Sequence, residues 1–344
     1  MRSKLLLLLF LSVGSILALA CQQQASLQLP TYVFLPAHTA TNTFTATLSP
    51  TSSPTWTPTP NGTATPVASI CPFTTVTQWG GPGAASGLFN GANDITTDGS
   101  DNIYVLDSGN KRIQKFSPAG AYVTQWNDNS LMVAPSNIAF NPINNKIYVL
   151  DNVSLPSQTG VMRLFDTSGN PSPTWTLPMN GSGLAIDSLG QVYAGGQSIV
   201  IRYDFSGFNP TYYYNQGVSG AYFTGVHALA ADSSSNLFVA MGSFIQKFNA
   251  AGNYILQWGA AGTAMNQFNG ICYMHTDAAG NVYVVDNIVS NTIPTGRIQK
   301  FDNNGRFLCQ YVLLGSFLKG ITLDSNGHLF VVDSTNQLIR EFTP

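Results

Sequence analysis

Charge is scarce in this chain. Asp, Glu, Lys and Arg together make up 9% of its 344 residues, against roughly 25% in an ordinary globular protein. The signs nearly balance, with 14 Lys and Arg against 16 Asp and Glu and a net charge of −2. Nucleic acid is therefore not an expected partner, because such binding rests on clustered Lys and Arg that neutralise phosphates. Glutamate is nearly absent, Glu341 being the only one, so an acid–base or metal site would have to be built from aspartates. Four histidines are spread over the sequence as His38, His227, His275 and His328. No ten-residue stretch carries a helical period, which leaves α-helical folds without support.

What replaces charge is Gly, Asn, Ser, Thr and Gln, and 32 glycines imply many turns. The chain opens on Arg2 and Lys4, then an apolar run from Leu5 to Leu19 that ends in small residues before Cys21. That run is too short for a comfortable membrane span and has the length of an export signal. Cys21 directly after Ala18-Leu19-Ala20 resembles a bacterial lipobox, with Ala18 where that family prefers Leu. The resemblance implies cleavage before Cys21, lipidation of its thiol and an extracytoplasmic, membrane-anchored protein, on the cell surface or in the periplasm. No charged residue lies between Lys4 and Asp94, and residues 31–66 are dominated by Thr, Pro and Ser. Such a segment buries too little apolar surface to offset its ordering entropy, and its prolines favour an extended form. The expected organisation is a lipoprotein signal peptide over 1–20, a disordered stalk over 21–72 and a folded domain over 73–344.

The folded domain repeats itself. Asp98, Asn141, Asp187, Asp232, Asp277 and Asp324 open equivalent turns 43 to 47 residues apart, and Phe116, Phe165, Tyr203, Phe248, Phe301 and Phe342 end equivalent strands. Copies one and five agree nearly residue for residue. Ile103-Tyr104-Val105-Leu106-Asp107 and Arg112-Ile113-Gln114-Lys115-Phe116 match Val282-Tyr283-Val284-Val285-Asp286 and Arg297-Ile298-Gln299-Lys300-Phe301. Apolar runs of four to six residues alternate with turn clusters such as Ser117-Pro118-Ala119-Gly120, the pattern of short antiparallel strands. Four strands per copy predict an all-β, six-bladed β-propeller. Copy six stops after its third strand, while an unmatched strand, Thr75-Val76-Thr77-Gln78-Trp79, precedes copy one. The N-terminal strand is thus expected to complete the last blade.

The strand ending in Val-x-Asp, and Arg-Ile-Gln-Lys-Phe followed by Asp/Ser-x-x-Gly, resemble the NHL repeat, most specifically in copies one and five. Copies three and four depart from it, with Gly196 and Met241 in place of the aspartate. The resemblance implies a propeller but not one function, since the family includes RNA binders, scaffolds, sensors and lyases. Lyases of this architecture use clustered histidines or an acidic metal set. Here His227, His275 and His328 share no column of the repeat, and Asp94 with Asn93 and Asn137 offers few oxygen ligands. No metal or other cofactor is expected.

Two regions could bind a ligand. The residues entering the innermost strands should rim the central channel, giving Asn93, Asp94, Asn137, His227, Tyr273 and Lys319 as candidates. The loops 151–160 and 286–296, each opening on Asp-Asn, should flank its mouth from opposite blades and add Asn152 and Asn287. Asp107, Asp151, Asp286 and Asp333 are expected to be structural, bonding nearby backbone N–H groups. Export permits disulfides; Cys71 and Cys309 fall on adjacent blades, and Cys272 is expected as a free thiol near the channel. The expectation is a binding or scaffold propeller for a protein, glycan or other polar ligand. The alternative is a lyase or lactonase with a metal in the channel.

Overall fold

The structure is a computed structural model that describes residues 70–128, 131–152, 159–196, 198–213, 223, 225–290 and 293–343. The export signal, Cys21 and nearly all of the stalk lie outside the described residues. Among the described residues the only helical element is a short 3-10 turn, Ser108–Asn110, and no helix is long and apolar enough to cross a membrane.

Six four-stranded antiparallel sheets follow one another along the chain. Blade one is Ala92–Thr97, Ile103–Asp107, Arg112–Phe116 and Tyr122–Trp126, and blade five is its longer counterpart, Ile271–Thr276, Val282–Ser290, Ile293–Phe301 and Phe307–Leu314. The innermost strands of the other blades are Pro135–Asn141, Gly183–Ile186, Val226–Ala231 and Leu318–Leu323. The outer position of the sixth sheet is held by Thr74–Gly80, paired antiparallel with Leu338–Thr343 so that Gln78 faces Arg340 and Trp79 faces Ile339. Cys71, just before that strand, is disulfide-bonded to Cys309 on the outer strand of blade five.

Each blade buries both faces against its neighbours, so the second strands read as continuous apolar runs: Tyr104, Val105 and Leu106, or Phe238, Val239 and Ala240, are fully buried. The repeated glycine of the third-to-fourth-strand turn has two jobs. Gly120 has φ +76°, and a Cβ there would stand 2.8 Å from the ring of Trp79; Gly305 meets Trp258 in the same way. A flat indole on a bare backbone is how successive blades stack. Neighbouring blades are also bonded on their inner edges, including six to one, where Thr97 Oγ1 donates to the Leu323 carbonyl at 2.8 Å.

The repeated aspartates do more than was expected of them. Asp107 Oδ1 accepts from the N–H of Asn90, and Asp286 Oδ1 from Asn269 and Gly270, all 16 or 17 residues upstream rather than in a local turn. The other carboxylate oxygen binds the arginine of the facing third strand, pairing Asp107 with Arg112, Asp151 with Arg163, Asp286 with Arg297 and Asp333 with Arg340. These buried ion pairs hold the loop entering each blade to its middle strands. Gly196 and Met241 leave blades three and four without them.

Candidate ligand site at the channel mouth

In five of the six blades the first strand slips register near its start. Ala92 faces Asp107 but Asp94 faces Leu106, and the same break occurs at Pro135/Asn137, Val226/Ala228, Ile271/Tyr273 and Leu318/Ile321. A β-bulge leaves its extra residue out of the ladder and re-aims the side chain. The residues so released are Asn93, Ser136, His227, Cys272 and the Lys319-Gly320 pair, each at the start of its blade's innermost strand.

Asn93 organises the mouth. Its Nδ2 donates to the carbonyl of Ser136 on blade two and to Tyr273 Oη on blade five at 2.7 Å. Its Oδ1 accepts from Lys319 Nζ on blade six, also at 2.7 Å. Four blades therefore meet through one amide, and three of the candidate residues, Asn93, Tyr273 and Lys319, form a single cluster. Burial lowers the Lys319 ammonium to about 8 and raises the Tyr273 phenol well above its usual value.

Asp94 and Asn137 stand beside this cluster. Asp94 Oδ1 accepts from its neighbour Ile95 N–H at 2.9 Å, and Oδ2 from Ile138 N–H of blade two at 3.0 Å. Burial nonetheless dominates and pushes the carboxyl up to about 7, opposed by those backbone bonds and by the Asn137 amide. Asn137 is 5% exposed, and its Oδ1 has no hydrogen-bond partner. Both line a channel cavity of about 100 Å³ together with Thr96, Tyr273 and His275. Burial drops the His275 imidazole to about 4. His227, on blade four, is also lowered by burial and has no hydrogen-bond or ion-pair partner among the described residues.

Asn152 and Asn287 have a different setting. Asn152 accepts from Gly181 N–H and donates to Gly181 O, both at 2.9 Å. Asn287 repeats the arrangement on Leu318, at 2.8 and 2.7 Å. Each amide splices a strand end of one blade onto the backbone entering the next, and so frames the mouth rather than facing it. Residues 153–158 and 291–292 of the two flanking loops lie outside the described residues. No cysteine is a free thiol among those described, so Cys272 is not the free thiol expected. Also among the described residues, no three His, Cys, Asp or Glu side chains converge as metal ligands. His328 instead packs between Asp324 and Glu341, 3.2 Å from each.

The bulges escaped the sequence reading, although two polar residues recurring at the strand entrance (Asn93-Asp94, Ser136-Asn137) were their trace. His275 and Thr96 were missed as cavity residues because alternation along a strand does not say which face meets the channel.

The NHL-repeat family model matches residues 89–116, which run from the entry loop of blade one to the end of its third strand. No curated protein matches the sequence. Among solved structures, an auxiliary nutrient binding protein from Bacteroides thetaiotaomicron is similar at TM-score 0.58 and 12% identity, over 74% of this chain and 69% of that one. Virginiamycin B lyase from Staphylococcus aureus is similar at TM-score 0.53 and 11% identity, over 78% and 94%. A streptogramin B lyase gives TM-score 0.51 and 10% identity, over 74% and 93%. At such identities these likenesses speak for the fold alone. With the repeat matched in blade one and five further sheets of the same strand order around it, the chain is a six-bladed β-propeller that carries an NHL repeat in its first blade.

Proposed function

We propose that this protein is a binding propeller that holds a polar ligand, on a protein or a glycan, at the channel mouth, displayed outside the cell on a stalk anchored through lipidated Cys21. The observation that carries the reading is the four-blade cluster of Asn93, Ser136, Tyr273 and Lys319. Bulges carry Asn93, Ser136 and Lys319 there, and Lys319 ends on a neutral partner. The nutrient-binding neighbour is consistent with such a role. The lyase neighbours keep an enzymatic reading as the second choice. That reading would place a metal beside Asp94 and Asn137, whose free Oδ1 is the feature in its favour.

The test is a binding screen of the full chain against oligosaccharides and peptides, repeated with the double variant Asn93→Ala/Lys319→Met. The expected result is a ligand whose affinity falls about tenfold or more, equivalent to about 1.4 kcal/mol, measured at a temperature where the variant, which also loses the Asn93 bonds between blades, is still folded. Undiminished affinity in the double variant would remove the mouth from consideration. Release of the protein from membranes by Cys21→Ser would support the anchor, and unchanged retention would count against it.

A further inference from the structure

We propose that the mouth recognises an anionic group, a carboxylate or phosphate, on the Lys319 ammonium, with the Tyr273 hydroxyl beside it as a further donor and His227 contributing from blade four. This rests on the reading of the mouth as the ligand site and narrows the chemistry of what enters.

The recessed arginines of this chain are paired with carboxylates, whereas buried Lys247 donates to Asn303 with Asp232 and Asp302 nearby. Arg112, Arg163, Arg297 and Arg340 each meet an aspartate within 2.8 Å. A buried charge without a counter-charge is costly, and natural chains keep such violations where they serve a function. Lys319, at the channel, makes no ion pair among the described residues. Among the described residues its single hydrogen bond runs to the neutral Asn93 Oδ1, so two of its three N–H donors are unused. Nor does the adjacent Asp94 neutralise it, since both carboxylate oxygens are turned onto the backbone of Ile95 and Ile138. A carboxyl raised to about 7 is also largely protonated below that pH and offers an incoming anion little repulsion.

The neighbouring donors are unsatisfied in the same sense. Tyr273 Oη accepts from Asn93 at 2.7 Å, but its own proton reaches only the Ser136 carbonyl at 3.4 Å, a long contact that a ligand oxygen would better. His227 occupies the equivalent bulge on blade four. Blades four, five and six thus bring an imidazole, a phenol and an ammonium to the same rim, while blades two and three bring only Ser136 and Ser182. Ser182 Oγ is tied up on the carbonyl of Val226, and Ser136 Oγ makes a long 3.3 Å contact with that of Leu150. The donor-rich arc faces the opening without a carboxylate partner of its own.

The experiment is competitive labelling of the full chain with trace acetic anhydride, reading Lys319 acetylation by mass spectrometry against the exposed Lys111 as internal reference. The probes are glucuronate, inorganic phosphate and glucuronamide, the last keeping the sugar ring but lacking the charge. Glucuronate or phosphate should slow Lys319 labelling about threefold at about twice its dissociation constant, leave Lys111 unaffected and act without help from glucuronamide. Protection by glucuronate alone assigns a carboxylate site and by phosphate alone a phosphate site. Equal protection by glucuronamide would overturn the anion and leave a neutral polar ligand at the mouth. No protection by any probe overturns the anion, and the double-variant screen then decides separately whether the mouth binds at all. As a second readout, glucuronate or phosphate should raise the melting temperature of the wild type but not of Lys319→Gln. An equal rise in both would also overturn the proposal.

Discussion

The Cys71–Cys309 bridge joins residues 238 apart in sequence and nearly encloses the domain. It ties the segment leading into Thr74–Gly80, the outer strand of blade six, to the outer strand of blade five. If the blades unfold as one unit, cross-linking the chain over that span removes loop-closure entropy of about 18 cal/mol/K, or about 5.5 kcal/mol at 25 °C. Unfolding entropy near 2.1 cal/mol/K per residue, over about 270 residues, is about 0.6 kcal/mol/K. Cys71→Ser/Cys309→Ser should therefore lower the melting temperature by about 10 °C in calorimetry under non-reducing conditions, with a single transition in the wild type. Two outcomes would refute the reasoning: a drop below about 2 °C, or a variant transition that splits while its main peak stays in place. Either would mean that the blades melt independently and that Thr74–Gly80 is an ornament on the sixth sheet.

Asn287→Ala removes both bonds to Leu318 and strands a buried N–H and C=O, so urea unfolding should show a loss of about 2–4 kcal/mol; a loss under 0.5 kcal/mol would mean that the splice is replaced by water. Arg297→Met leaves the Asp286 carboxylate, 0% exposed, without its counter-charge, and should cost about 3–5 kcal/mol. Arg297→Met/Asp286→Leu should recover part of that loss. Asp94 and His275 oppose each other in pH dependence. The Asp94 carboxyl, raised to about 7, contributes stability that is present below its usual 3.8 and lost as pH rises through 7. The His275 imidazole, lowered to about 4, contributes stability present above 6.5 and lost as pH falls through 4. Between about pH 4.5 and 6.5 the two slopes cancel, and His275→Gln should expose the Asp94 slope as a loss, relative to wild type, of about 3 kcal/mol on raising the pH across that window. Parallel pH profiles for the two proteins would refute the assignment.

Much of the architecture was legible because a propeller repeats its physics. The aspartate or asparagine at each first turn and the aromatic ending each third strand recur at the blade period, so six copies could be counted. The facing of Asp107 and Arg112 could likewise be anticipated from the repeat, since hairpin register places them opposite. The site was legible only in part. Asn93, Tyr273 and Lys319 were identified one by one as rim residues, but their union in one cluster depends on bulges, and a bulge leaves the strand's composition unchanged. Asn152 and Asn287 looked like loop residues because each amide's partner lies about 30 residues away on the next blade. Nothing in the local pattern announces a side chain that substitutes for a backbone pair. The aspartates of the second strands were read as local turn-formers for the same reason, their upstream N–H groups being brought in by the fold.

The central claim is that ligand is held at the mouth by the Asn93 cluster. Its most direct test is hydrogen exchange of the full chain, free and saturated with a ligand found in the binding screen. The account predicts slowed exchange in the peptides containing Asn93, Ser136, Tyr273 and Lys319, which lie on four different blades, with the outer strands unchanged. Slowed exchange confined to an outer strand such as Phe307–Leu314, or to the first-to-second-strand turns on the opposite face, would contradict it.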